Sequence, residues 1–195
     1  MKRKMLQFVR QLQTFIDRVW YAPLVGALAL LDNIILIIPN DGILVSSTML
    51  QPKRWLYFAI VIAVGSTLGA MLLSVLVESF GLPAVLQFAP GFELSSTWIQ
   101  TEKFFTQWGL WVVFGVALAP ILQQPAVVLA AAANVPLFEI VATVFIGRLI
   151  KYVIMSYVAS HAPRLIFKIW GLQGDLQDVG LDPENPKPVA IAKKG

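Results

Sequence analysis

Four charged residues lie in stretches otherwise apolar enough for hydrocarbon: Asp32 and Asp41 within residues 24–49, Arg148 and Lys151 within residues 137–158. At the centre of a membrane helix each would cost on the order of 2.5–3.5 kcal/mol on insertion scales, so the four are expected to face one another or a watery cavity. Two acids against two bases make a neutral set. Arg148 and Lys151 are three residues apart and so share one helix face. Arginine grips an oxyanion with a planar fork, whereas lysine offers a point charge. Poor hydration raises a carboxyl group's proton affinity and neighbouring cations lower it, so a change in that balance would couple a proton to movement.

Other chemistries are excluded by what the sequence lacks. There is no cysteine for a disulfide or thiolate site, and the single His161 leaves no histidine pair for zinc or a nucleophile–base relay. His161 reads instead as a polar residue at the interfacial end of a helix. No Gly-x-Ser-x-Gly elbow, His-Glu-x-x-His pair or glycine-rich phosphate loop occurs. Asp32 and Asp41 have no defined water or metal partner for acid–base work. The expectation is a protein that is not an enzyme, with no catalytic residue, no metal and no cofactor.

The elements that must position the quartet are membrane elements. Of 195 residues, 57% are hydrophobic and 13% charged, and the mean hydropathy is +0.73, well outside soluble averages. A pI near 9.5 and a net charge of +4 invite a nucleic-acid reading. Most basic residues, however, flank apolar runs, where they act as topology signals, and no nucleic-acid partner is expected.

Residues 1–21 place Phe8, Leu12, Phe15, Ile16 and Val19 at helical spacing, which suits an amphipathic helix lying in the headgroup layer. A cleavable signal peptide fits poorly. Residues 22–165 then form one membrane domain. Its first arm, residues 24–38, has 15 residues, fewer than the roughly 20 needed to cross. Pro39, Asn40, Asp41 and Gly42 are turn formers, so this segment reads as a re-entrant hairpin. Broken backbone at membrane depth survives only in protein shelter or beside a watery cavity.

Residues 55–77 are 23 uncharged residues, long enough for a full crossing, with a small-residue face at Gly65, Ser66 and Gly69 for close packing. A polar interruption, residues 78–103, holds a short interfacial helix near residues 82–88. A second broken hairpin is expected next, with an inbound arm at 105–119, a turn at Pro120 to Pro125 containing Gln123 and Gln124, and an outbound arm at 126–133. Residues 137–158 make the second crossing, and residues 166–195 read as a flexible cytoplasmic tail. With the N-terminus cytoplasmic, twelve basic residues fall inside and only Lys103 outside, which places both termini in the cytoplasm. Hairpin then crossing, twice and from opposite faces, is an inverted repeat of the kind secondary transporters use.

The runs Pro39-Asn40-Asp41-Gly42-Ile43-Leu44, Gln51-Pro52-Lys53-Arg54-Trp55-Leu56-Tyr57 and Gly65-Ser66-Thr67-Leu68-Gly69 resemble the first half of DedA-family membrane proteins, also called the VTT or SNARE-associated domain, most closely their YqaA-type branch. Trp108-Gly109-Leu110-Trp111, Ala119-Pro120 and Phe145-Ile146-Gly147-Arg148-Leu149-Ile150-Lys151-Tyr152 are similar to that family's second half. The resemblance covers about residues 31–157. It implies a multi-pass protein of the bacterial inner membrane with two opposed re-entrant hairpins, linked to envelope homeostasis and, in some members, to flipping polyprenyl-phosphate carriers or phospholipids. The family's acidic motif residues correspond to Asp32 and Asp41, its basic pair to Arg148 and Lys151. Where many members carry Arg or Lys after the second-hairpin proline, this chain has Gln123 and Gln124, and Ala130 to Ala133 stand where the closing glycine is expected. An amide can hydrogen-bond a phosphate but cannot neutralise it.

Two readings follow. In the first, an all-α polytopic transporter or scramblase moves an anionic lipid, with Asp32, Asp41, Arg148 and Lys151 forming the substrate or proton pathway. Pro39, Asn40, Gly65, Gly69, Pro120, Gln123, Gln124, Gly147 and Tyr152 support it. In the second, the chain is a non-transporting scaffold or assembly factor whose quartet clamps the hairpins to the second crossing. Membrane lipids are the expected partners; proton coupling and oligomerisation are left open.

Overall fold

The computed structural model describes residues 16, 18–35, 40–87, 91, 94–119 and 123–161. The expected N-terminal amphipathic helix, the turn prolines Pro39 and Pro120, and the tail lie outside these residues, apart from the last turn before Tyr21. Among the described residues every regular element is helical. In order they are α1 (Tyr21–Ile35), α2 (Asn40–Leu50), a 3-10 turn (Pro52–Arg54), α3 (Trp55–Phe80), α4 (Leu82–Leu86), α5 (Ser96–Trp108), α6 (Leu110–Leu118), α7 (Gln124–Ala132) and α8 (Leu137–His161).

Most boundaries have a local cause. Pro52 opens the 3-10 turn, and its missing N–H costs nothing at a helix start. Gly81, at φ +78°, ends α3 and donates its N–H to Val77 O at 2.9 Å. The Ser95 side chain caps α5 by accepting from the Trp98 N–H at 3.2 Å. Gly109, at φ +54°, separates α5 from α6 and donates to Phe105 O at 2.8 Å. The single arm expected at 105–119 is therefore two helices with a glycine break. Asn134, at φ +56°, closes α7: the Val135 N–H reaches back to Ala130 O at 3.1 Å. Pro136 O then accepts from the Glu139 and Ile140 N–H groups and starts α8.

Two expected turns differ from the structure. Asn40, Asp41 and Gly42 belong to the first turn of α2, and Pro125 sits in the first turn of α7. Turn formers and helix starters are largely the same residues, because both roles use a fixed φ or a side chain that serves the backbone.

Among the described residues Pro52–Phe80 is the one stretch long and apolar enough to cross a membrane. The second expected crossing, α8, is 25 residues, about 37 Å of helix, but carries Glu139, Arg148 and Lys151.

The chain divides into two compact units. One comprises Met1–Val25, Pro39–Ile62 and Tyr152–Gly195, the other Gly26–Ile38 and Ala63–Lys151. The first has buried Tyr21, Val25, Leu44, Phe58, Ile62 and Met155 in its core. Tyr21 meets Phe58 edge to face at 6.0 Å, and Tyr157 stacks on His161 at 4.4 Å. In the second, Leu73, Val77, Trp98, Val113, Val127 and Ile140 centre a cluster around α7. Close approach there depends on missing side chains. A Cβ on Gly65 of α3 would collide with the backbone of Gly26 in α1. A Cβ on Gly147 of α8 would stand 2.7 Å from Ala117 Cβ of α6. In both cases a long helix receives a shorter one through a glycine.

Candidate functional site

The site is assembled from α1, α7 and α8 within the second unit. α8 is apolar except for a few groups, and its three-residue spacing puts Arg148 and Lys151 on one face. Both are buried, at 6% and 4% exposure. Such cations in an apolar helix need fixed partners. Arg148 donates its Nε–H to Gln123 Oε1 at 2.7 Å, a buried side-chain bond across 25 residues of sequence. Bonds to a charged donor of this kind are worth about 1.5–3 kcal/mol. Since an amide carries no charge, the balancing negative charge must come from a carboxylate or from a bound anion.

Gln123 occupies the N-cap position of α7 yet makes no side-chain cap bond. Its amide is committed to Arg148 rather than to the helix end, a local rule broken at a site where another use is evident. Gln124 follows, at 5% exposure. Its Nε2 donates to the Asp32 backbone carbonyl at 3.2 Å, tying α7 to α1. Its Oε1 is buried with no hydrogen-bond partner among the described residues.

Of the predicted site residues, Asp32, Gln123, Gln124, Arg148 and Lys151 belong to this one unit. Asp32 is half-buried and enters the cluster through its carbonyl. Asp41, half-buried in the first turn of α2, and Asn40, buried beside it, belong to the other unit, as does the fully buried Tyr152. Gly65 and Gly147 serve close packing, and Gly69 is buried on α3.

The two glutamines read from sequence as a lost cation; in the structure Gln123 is the arginine's partner, and the sequence held no periodic signal for a pair so far apart. A second polar group was missed altogether. In the first unit Tyr21 Oη and Ser47 Oγ are 2.7 Å apart, and Ser47 Oγ also donates to Ile43 O at 2.6 Å. The run Ser46-Ser47-Thr48 in an apolar segment was its only mark. Two buried hydroxyls elsewhere turn back on their own helix, Thr67 to Ala63 O and Ser74 to Ala70 O, which satisfies them without a distant partner.

No family model matches this chain, and no solved structure matches it. It is similar to a curated protein of Haemophilus influenzae described as an uncharacterized protein, with 25% identity over 123 residues. The match covers 63% of this chain and 64% of that relative, so the chain spans just under two thirds of the length of the protein it matches.

Proposed function

We propose that this chain is a DedA-like integral protein of the bacterial inner membrane that moves or scrambles an anionic lipid, a polyprenyl-phosphate carrier or a phospholipid. The observation that carries the reading is the pair Arg148 and Lys151, both more than nine-tenths buried on one face of an apolar helix, with Arg148 held by Gln123. Cations placed so deep have a use when an anion comes to them. An exposed apolar stripe on α3, Leu56, Ile60, Val64, Leu68 and Leu72 at every fourth residue, runs about 24 Å along the helix. That length supports lipid contact better than water contact. α6 and α7 have nine residues each, about 13 Å, close to half of a 30 Å hydrocarbon layer, as arms meeting near the midplane require. Asp32 of the same unit, or Asp41 of the other, exchanges the coupling proton in this scheme.

The experiment is reconstitution into liposomes holding trace fluorescent phosphatidylglycerol or polyprenyl phosphate. Flipping should exceed that of empty liposomes and fall to background in Arg148→Ala and Lys151→Ala proteins that remain monodisperse. Background flipping by the folded unaltered protein across both lipids overturns the reading and leaves the scaffold, in which the Arg148–Gln123 bond is a clamp.

A further inference from the structure

The exposed large side chains of α8 are ordered by type. From the start they run Phe138, Ile146, Ile150, Ile154 and Tyr157, an aliphatic stretch with an aromatic ring at each end. Phe138 to Tyr157 is about 28 Å of helix, close to the roughly 30 Å of bilayer hydrocarbon. Arg148 and Lys151 are buried, so they do not interrupt this outer face. α3 shows the same order, with Tyr57 near its start, exposed aliphatic side chains from Ile60 to Leu72, and Phe80 at its end. Aromatic rings collect at the two water boundaries of a membrane. A face turned to water or covered by protein has no reason to sort its residues by height.

The second unit gathers one set of these end positions at a single level. Val77 of α3, Val113 of α6 and Ile140 of α8 pack in one buried cluster. Phe80 lies three residues beyond Val77, Trp111 two before Val113 and Phe138 two before Ile140, each about 3–5 Å along its helix. All three are exposed, at 68%, 74% and 81%. Trp108, also exposed, ends α5 on the other side of the Gly109 break. That break divides polar from apolar. α5 exposes Gln100, Glu102, Lys103, Thr106 and Gln107, whereas α6 exposes only Trp111 and Gly115. No charged residue occurs between Lys103 and Glu139.

Resting on the membrane placement proposed above but not on transport, we propose that Phe80, Trp108, Trp111 and Phe138 form an aromatic belt that seats this end of the second unit in the headgroup layer of one leaflet. α5 lies along that layer, and α6 descends from it into hydrocarbon. The partner is the lipid surface itself, without a call for anionic lipid. The exposed charges at this end are Glu78, Glu102, Glu139 and Lys103, three acids against one base, which offer an anionic headgroup no complement. The belt is therefore a different surface from the buried Arg148 and Lys151, with a different requirement.

The test uses the absence of native cysteine. A nitroxide is attached to Phe80→Cys, Trp108→Cys, Trp111→Cys, Gly115→Cys, Phe138→Cys or Ile146→Cys in the full chain, reconstituted in phosphatidylcholine. All six positions are exposed, so the substitutions leave the core intact. Collision of the label with oxygen and with a water-soluble nickel chelate reports its depth. The four belt labels should lie within about 5 Å of one another at the boundary between headgroups and acyl chains. Ile146 should be about 12 Å deeper than Phe138, and Gly115 about 6 Å deeper than Trp111. These depths should hold when phosphatidylglycerol is added. Equal depth for Trp111 and Gly115, or a belt that moves when phosphatidylglycerol is added, overturns the proposal. So does exclusion of both collision partners at positions 108 and 138, as a second protein chain covering the face would produce. Water-like collision at every label overturns the membrane placement and this inference together, whereas the expected depths in a protein that flips no lipid overturn transport alone.

Discussion

Arg148 of α8 and Gln123 at the mouth of α7 are joined by a 2.7 Å buried hydrogen bond from Nε to Oε1. Removing the acceptor takes from the buried Nε–H the partner it has at 2.7 Å, at a cost of about 1–3 kcal/mol. Gln123→Leu should therefore lower the thermal unfolding temperature of the detergent-solubilised protein by several degrees. Gln123→Glu keeps an acceptor in place and should be the milder change. Equal melting of Gln123→Leu and the unaltered protein would show that the bond carries no stability.

Gly65 predicts a sharper effect. Any side chain there meets the Gly26 backbone, and backbone cannot rotate away. Gly65→Ala should reduce the monodisperse yield severely. Gly115, on α6, has nothing within 4 Å of an added Cβ, so Gly115→Ala should be neutral or stabilising by up to about 1 kcal/mol. Size-exclusion profiles of the two proteins provide the comparison.

The Tyr21–Ser47 bond should respond unequally to loss of either partner. In Tyr21→Phe, Ser47 keeps its bond to Ile43 O, and the cost should be about 0.5–1.5 kcal/mol. In Ser47→Ala, the buried Tyr21 hydroxyl loses the partner 2.7 Å away, and the cost should be larger, about 1–3 kcal/mol. Thermal melts of both variants check the order.

Topology can be read with thiol labels, since the chain has no cysteine of its own. Under the proposed layout, Lys53→Cys should label from the cytoplasmic side and Lys103→Cys from the opposite side, using an impermeant maleimide on oriented vesicles. Val64→Cys, on the exposed stripe of α3, should resist the reagent until detergent is added. Labelling of positions 53 and 103 from one side would remove the inverted repeat.

Residues 55–77 were legible as one long helix because an uncharged run of that length has few alternatives; the structure extends it to Phe80. The short helix expected near 82–88 occurs as Leu82–Leu86. The break at Gly109 was not legible, since nothing separates a helical glycine from one at φ +54° until the chain is folded. Pro125 misled the reading of the second turn for a related reason, because a proline marks a loop and a helix start equally well. Arg148 and Lys151 stood out as charges in an apolar run. The arginine's partner did not, because Gln123 is fixed by packing across α7 and α8 rather than by spacing within one helix. Such non-local pairs are set by tertiary structure and leave no period in the sequence.

The connection from α7 to α8 has a mechanical consequence. Asn134 in its left-handed turn, the Val135-to-Ala130 bond and the two N–H groups gathered on Pro136 O leave almost no slack in the elbow. If the proposed transport moves this part of the molecule, the two helices should pivot as a single lever, carrying Gln123 and Arg148 together with their bond intact. Bending would instead fall on the α5–α6 joint, where Gly109 adopts a torsion angle that a side chain would resist.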